Sequence, residues 1–231
     1  MKMMYLKNLF DRSLPGMFTL LGFVALVATG CSNPSSSEQT ALPFYNEASF
    51  TPHWYADKHT IPEDFHQIPS FELLNQAGET ITNETFEGKL YIANFFFAAC
   101  PGICPMTMGN MSRLQDEFAD DEDILLVSHS VTPEKDSVAA LQAFADQMHV
   151  LTSKWHLLTG DREQIYDLGK NFYFAEEDLG EIAPAKTRDE AFLHTESFFL
   201  IDENRHIRGV YNGMNTASVT QLIADVRKLK S

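Results

Sequence analysis

The sequence predicts an α/β fold, a central mixed sheet with helices on both faces and an N-terminal hairpin extension. Three observations predict it. Two uninterrupted apolar runs, "KLYIANFFFAA" from Lys89 and "DILLVSHSV" from Asp123, have the length and composition of strands covered on both faces. Segments with apolar residues at helical spacing alternate with these runs, the pattern of a layered α/β sheet. The chain then closes with a hairpin and a last amphipathic helix.

The elements follow in order. Residues 32–43, "SNPSSSEQTALP", read as a flexible tether. Residues 44–69 read as irregular, because Pro43, Pro52, Pro62 and Pro69 interrupt any long element. "SFELLNQAGETIT" alternates and turns at Gln76-Ala77-Gly78, a hairpin. The first apolar run is the central strand. Residues 105–119 open with proline and carry Met108, Met111, Leu114 and Phe118 on one face, a helix. The second apolar run is the next strand. Residues 134–148 form a helix with Val138, Leu141, Phe144 and Ala145 on one face. "WHLLTG" is a short strand, and "DREQIYDLGKNF" is a helix capped by Asp161. Residues 176–191 are a charged loop. "ESFFLIDENRHIRGVYNG" is a hairpin turning near Glu203-Asn204. "TASVTQLIADVRKLK" is a last helix, capped by Thr216 or Ser218 and basic at its C-terminal end, where the helix dipole favours cations. This order, with its closing hairpin and helix, predicts a thioredoxin-like domain.

The N-terminus predicts the compartment. Lys2, Lys7 and Arg12 precede an apolar segment from about Met17 to Ala28, then Thr29, Gly30 and Cys31. This is the layout of a secretory signal peptide, and the apolar segment is short for a transmembrane span. Ala28-Thr29-Gly30-Cys31 resembles the lipobox of bacterial lipoproteins, which implies lipidation at Cys31; leucine is usual where Ala28 stands. The expected division is a signal peptide over 1–30, a tether and irregular leader over 31–65, and the folded domain over 66–231, held on the extracytoplasmic (periplasmic) side of a membrane. The formal net charge is −15; residues 1–30 contribute +2 through Lys2, Lys7 and Arg12 against Asp11, leaving −17. Such a surface repels nucleic acid, so no nucleic-acid partner is expected.

Of three cysteines, a lipidated Cys31 leaves Cys100 and Cys104 as the possible thiol pair of the folded domain. They flank Pro101-Gly102-Ile103 between the central strand and its helix. Pro105 disfavours helical geometry at Cys104, so the helix is expected to start after it. Both sulfurs then lie near a helix N-terminus, which favours thiolate. Such a pair suits a disulfide, a redox couple or two soft ligands for Cu(I) or Zn. A disulfide closing so small a loop would add little stability. A metal would need a third donor. Among eight histidines, His53, His59 and His66 fall in the leader and read as solvated. His149 and His156 read as structural, His129 as a satisfied core or edge residue, and His206 as a surface residue. His194 stands immediately before the strand of "ESFFLID", where thioredoxin-like oxidoreductases carry a cis-proline facing their cysteines. Here the positions are His194 and Thr195, and the nearest proline upstream is Pro184. A metal-binding side chain takes the place of the redox signature. Met108 and Met111 read as core packing, and Met106 as a weak thioether candidate.

Four segments in order, "CPGICP", "SVTPE", "WHLLTG" and "HTESFFLID", resemble the Sco/SenC family of copper-binding cytochrome c oxidase assembly proteins, over roughly residues 60–230. The resemblance implies a thioredoxin-like fold, copper as Cu(I) or Cu(II), and Cys100, Cys104 and His194 as its ligands. It implies a copper-bearing oxidase subunit, or another copper or thiol protein, as partner. A membrane-tethered thiol–disulfide oxidoreductase using the Cys100/Cys104 couple is the alternative. The family usually carries Asp where Gly102 and Thr132 stand.

Overall fold

The computed structural model describes residues 41–55, 60–99, 104–175 and 195–230. The tether up to residue 40, with Cys31, and the charged loop over 176–191 lie outside the described residues. The elements are strands β1 (Phe44–Tyr45), β2 (Pro52–His53), β3 (Glu72–Leu74), β4 (Thr80–Thr82) and β5 (Leu90–Phe96), helix α1 (Cys104–Glu117), strand β6 (Ile124–Ser130), helix α2 (Val138–Met148), strand β7 (Trp155–Leu158), helix α3 (Arg162–Asp167), strands β8 (Ser197–Ile201) and β9 (Ile207–Asn212), and helix α4 (Thr216–Lys230).

The main sheet runs β2-β1-β9-β8-β5-β6-β7, and β3-β4 form a separate hairpin. Strands β5, β6 and β7 are parallel, while β8 and β9 run antiparallel to their neighbours. The two apolar runs are the strands the sequence predicts. Every residue of β5 and of β6 is buried, because alternate side chains enter two different cores. Ile92 and Phe96 point with Leu126 and Trp155 into a core closed by Met108, Met111 and Leu114 of α1, Leu141 of α2 and Val219, Leu222 and Val226 of α4. Tyr91, Ala93 and Phe95 point with Val127 into a second core, closed by Leu73 and Ile81 of the hairpin, Phe86, and Ile165 of α3.

Local chemistry sets the boundaries, and several expectations need correction. Helix α2 starts at Val138, four residues later than the apolar spacing suggests, because Ser137 takes the cap and accepts the Ala140 N–H. Asp161 caps α3 as expected, accepting the Gln164 N–H at 2.8 Å. The helix then widens into a π turn over Leu168–Phe172 instead of continuing regularly. The cap of α4 is Asn215, not Thr216 or Ser218: its Oδ1 accepts the N–H groups of Ala217 and Ser218. Ser218 instead turns its hydroxyl back to accept the Asn212 N–H.

The leader is not irregular throughout. Tyr45 of β1 pairs with Ile207 of β9, and β2 pairs with β1, so residues 44–53 extend the sheet edge. Arg208 fixes this attachment. Its Nε donates to Pro43 O and its Nη2 to Leu42 O, while its guanidinium lies 3.6 Å above the Phe44 ring. Two histidine readings change with it. His66 is half-buried, its ring tilted against Phe174 and stacked on Phe172, with Nε2 2.8 Å from Phe172 O. His206 is buried between Phe44 and Phe65 instead of lying on the surface.

Candidate metal centre

The candidate site is built on one edge of the sheet. Strand β5 ends at Phe96 and leads within four residues to Cys100. Helix α1 begins at Cys104 itself, one residue earlier than the proline predicts. Strand β8 runs antiparallel to β5, with Ala93 opposite Phe199 and Tyr91 opposite Ile201. The start of β8 therefore lies at the same edge as the end of β5. The chain reaches β8 through Thr195 and Glu196, directly after His194. The exit of β5, the head of α1 and the approach to β8, the described segments that flank sequence positions 100, 104 and 194, therefore meet at one end of the β5–β8 pair. Cys100, the Cys104 side chain and His194 themselves lie outside the described residues. Among the described residues, no three His, Cys, Asp or Glu side chains gather as a metal site.

The frame around this edge is closely fitted. Gly213 N donates to Glu196 O, and its carbonyl accepts the Asn110 Nδ2 from α1 at 2.7 Å. A Cβ at position 213 would stand 2.4 Å from Phe198 and 2.8 Å from Glu196 O, so only glycine lets the β9–α4 turn approach here. This junction ties α1, the start of β8 and the last helix together two residues from His194.

The methionines divide. The Met108 sulfur faces Asn94 Nδ2 at 3.7 Å. Asn94 Oδ1 in turn accepts the Ser128 hydroxyl at 2.6 Å, and Ser128 accepts the Trp155 Nε1–H at 2.9 Å. Met108 and Met111 are core residues, as their spacing predicts. Met106 is exposed on the first turn of α1.

Sequence reasoning missed the carboxylate at this edge. Asp136 is buried, and its Oδ2 accepts from Ser130 Oγ at 2.6 Å, Thr132 Oγ1 at 3.0 Å and the Ala98 N–H at 3.2 Å. Thr132 stands where the Sco/SenC pattern has Asp, and in this chain it donates to a carboxylate four residues on. The signal in the sequence was the "SVTPEKD" run, where Asp136 looked like the first turn of a helix.

His129 is the second surprise. It pairs with Phe95 and Leu158 across β6 and is fully buried. The Phe95 ring stacks on it at 5.1 Å, with Phe71 at 5.8 Å and Tyr173 at 5.7 Å. Among the described residues neither ring nitrogen has a hydrogen-bond partner, so the expected satisfied histidine is an unsatisfied one. Burial pushes its pKa down to about 3, which keeps the ring neutral.

Comparison with known proteins agrees with this architecture. A SCO1/SenC family lipoprotein of Bacillus anthracis is 29% identical, with TM-score 0.62, covering 74% of this chain and 99% of its own. BsSco, a member of the Sco family of cytochrome c oxidase assembly proteins studied for its disulfide switch, is 26% identical, with TM-score 0.59 and coverage of 72% and 94%. ScoI of Arabidopsis thaliana, solved with copper bound, shares the fold at 24% identity and TM-score 0.54, over 70% and 97%. Residues 60–231 match the SCO1/SenC family, and the chain belongs to it.

Proposed function

We propose that this chain binds copper and assists assembly of the copper centre of a respiratory cytochrome c oxidase, with Cys100, Cys104 and His194 as its ligands. The observation that carries the reading is the convergence of the β5 exit, the head of α1 and the approach to β8 on one sheet edge, in a chain of the SCO1/SenC family. Two thiolates and an imidazole are a soft donor set that suits copper. Copper is then cargo: the protein holds it and passes it to a copper-bearing subunit or another thiol protein. The supporting facts are the donor chemistry, family membership, and a Sco protein of the same fold that holds copper. A second reading, thiol–disulfide exchange by the Cys100/Cys104 couple, draws support from the disulfide switch of BsSco. The two are compatible, because a target's cysteines must be reduced before they take a metal.

Copper titration of the reduced protein tests the reading. One equivalent is expected to bind tightly to the wild type, and Cys100→Ser and His194→Ala are each expected to lose that binding while the far-UV circular dichroism stays unchanged. A His194→Ala protein that binds like wild type removes His194 from the ligand set. A wild type that binds no copper but exchanges readily with small dithiols leaves the redox reading. We further propose that Cys31 carries lipid and holds the domain at the outer face of a membrane. Among the described residues no helix is long and apolar enough to cross a membrane. Cys31→Ser is expected to move the protein from the membrane fraction to the soluble fraction. A variant that stays in the membrane favours an uncleaved signal anchor.

A further inference from the structure

We infer that Asp136 is a positioning residue of the cysteine loop, and that Thr132 and Ser130 hold it in that role. The inference rests on the copper reading above only in part, because the same loop would carry a thiol couple. It starts from where the three bonds go. After β6, the Val131 N–H still continues the parallel ladder by donating to Phe96 O. The chain then turns: the N–H groups of Lys135 and Asp136 both donate to Thr132 O at 2.9 Å. This turn brings the Asp136 carboxylate back under the sheet edge, where two of its donors come from its own segment and the third comes from Ala98.

Ala98 is the informative partner. It lies in the turn that follows β5, two residues before Cys100, and its amide has left the β-ladder. Without Asp136 this N–H would lose the acceptor it has among the described residues, at the stem of the loop. The carboxylate therefore ties that stem to the β6–α2 turn, and Ser137, next in sequence, fixes the turn by capping α2. Groups that orient the immediate surroundings of metal ligands in this way commonly change metal affinity by about ten- to a hundredfold when removed.

Among the described residues no Lys or Arg pairs with Asp136; its partners are two hydroxyls and an amide. It is a buried carboxylate tied to the stem of the loop that carries the two cysteines. Ordering that stem raises the effective concentration of the two thiols towards each other and towards one ion, which favours a closed disulfide or a bound cation over the open dithiol. Thr132 fits this arrangement in a way that aspartate would not. A second carboxylate 3 Å from Asp136 would repel it, whereas the threonine hydroxyl donates.

The test is Asp136→Asn in the full chain, read in two ways, with Asp202→Asn as the control. Asp202 is also a buried carboxylate, but it follows β8, at the opposite edge of the sheet from the cysteine loop. The first readout is the equilibrium of the Cys100/Cys104 couple in dithiol buffers, which needs no copper. Asp136→Asn is expected to shift it about tenfold towards the dithiol, equivalent to ~30 mV for a two-electron couple. The second is copper affinity by chelator competition, expected to fall by about ten- to a hundredfold. Asp202→Asn is expected to lower the melting temperature and move neither readout. Should Asp136→Asn fail to fold, Thr132→Val, which deletes one of the three bonds, is expected to move both readouts in the same direction by less. An Asp136→Asn protein with wild-type couple and affinity overturns the inference, as does an Asp202→Asn protein that shifts both equally. A wild type that binds no copper, with the couple still shifted in Asp136→Asn, overturns the copper reading and leaves the positioning role standing.

Discussion

Replacing His129 with leucine is expected to stabilise the protein and to flatten its loss of stability between neutral and mildly acid pH. The imidazole is fully buried among Phe71, Phe95 and Tyr173, with neither nitrogen partnered among the described residues. A buried polar group left without hydrogen bonds costs about 1–3 kcal/mol, and an apolar side chain of similar size removes that cost. The pH dependence follows from linkage. Burial holds the folded-state pKa near 3, against about 6.5 in an unfolded chain. Between these values the unfolded state binds one more proton than the folded state, so stability rises with pH. The contribution is complete above pH ~6.5 and falls by about 1.4 kcal/mol per unit below it. Acidifying from neutral to pH 5 therefore costs about 2 kcal/mol through this residue alone. His156, whose pKa burial also lowers, keeps part of the slope in the variant. Asp202 and Asp121, which burial and hydrogen bonding respectively affect most and whose pKa values both end lowered, act only at more acid pH. Urea unfolding at a series of pH values measures this directly. An unchanged slope between pH 7 and 5 in His129→Leu would assign the acid sensitivity elsewhere.

Most of the fold was legible because apolar periodicity reports burial directly. Strands β5 and β6 are continuous apolar runs because two cores meet at the sheet, and α1 displays Met108, Met111 and Leu114 at helical spacing because one face packs. What the sequence hid was set by single polar contacts between distant segments. Nothing around Phe44 predicts that Arg208, more than 160 residues on, donates to the two carbonyls before it. The true cap of α4 was equally hidden, since Asn215, Thr216 and Ser218 are all competent caps and only the backbone path chooses among them.

The site was legible in part. Cys100, Cys104 and His194 stood out through residue type and neighbourhood, and the described segments that flank them meet at one end of the β5–β8 pair. Asp136 did not stand out, because acidic residues are enriched in the first turn of helices and the predicted helix over 134–148 placed it there. Its role depends on a turn closed by Thr132 and on an amide from the turn that follows β5. His129 was misread for the opposite reason. A histidine in a strand is expected to find a partner, and only packing reveals that the rings of Phe71, Phe95 and Tyr173 and the aliphatic core around it offer none.

Arg208→Met is expected to destabilise the protein by about 3–5 kcal/mol, the usual cost of stripping one partner from a buried ion pair. Arg208 Nη1 lies 3.1 Å from Asp202 Oδ2, and both side chains are almost entirely enclosed. Burial pushes the Asp202 pKa up, but the His206 contacts and the Arg208 charge outweigh it and hold the carboxyl below its usual range. Without the guanidinium, Asp202 keeps the N–H groups of Asn204 and His206 but loses its cation. The carbonyls of Leu42 and Pro43 lose their donors at the same time. Adding Asp202→Asn removes the stranded charge, so the double variant is expected to be more stable than Arg208→Met alone, a non-additivity that marks a coupled pair. The loss should also have an address. Arg208 is what fastens β1 to the sheet, so limited proteolysis is expected to cut Arg208→Met first within residues 41–55, ahead of global unfolding. Cleavage beginning elsewhere, or a loss below about 1 kcal/mol, within the range of an exposed pair, would show that β1 is held by its apolar contacts.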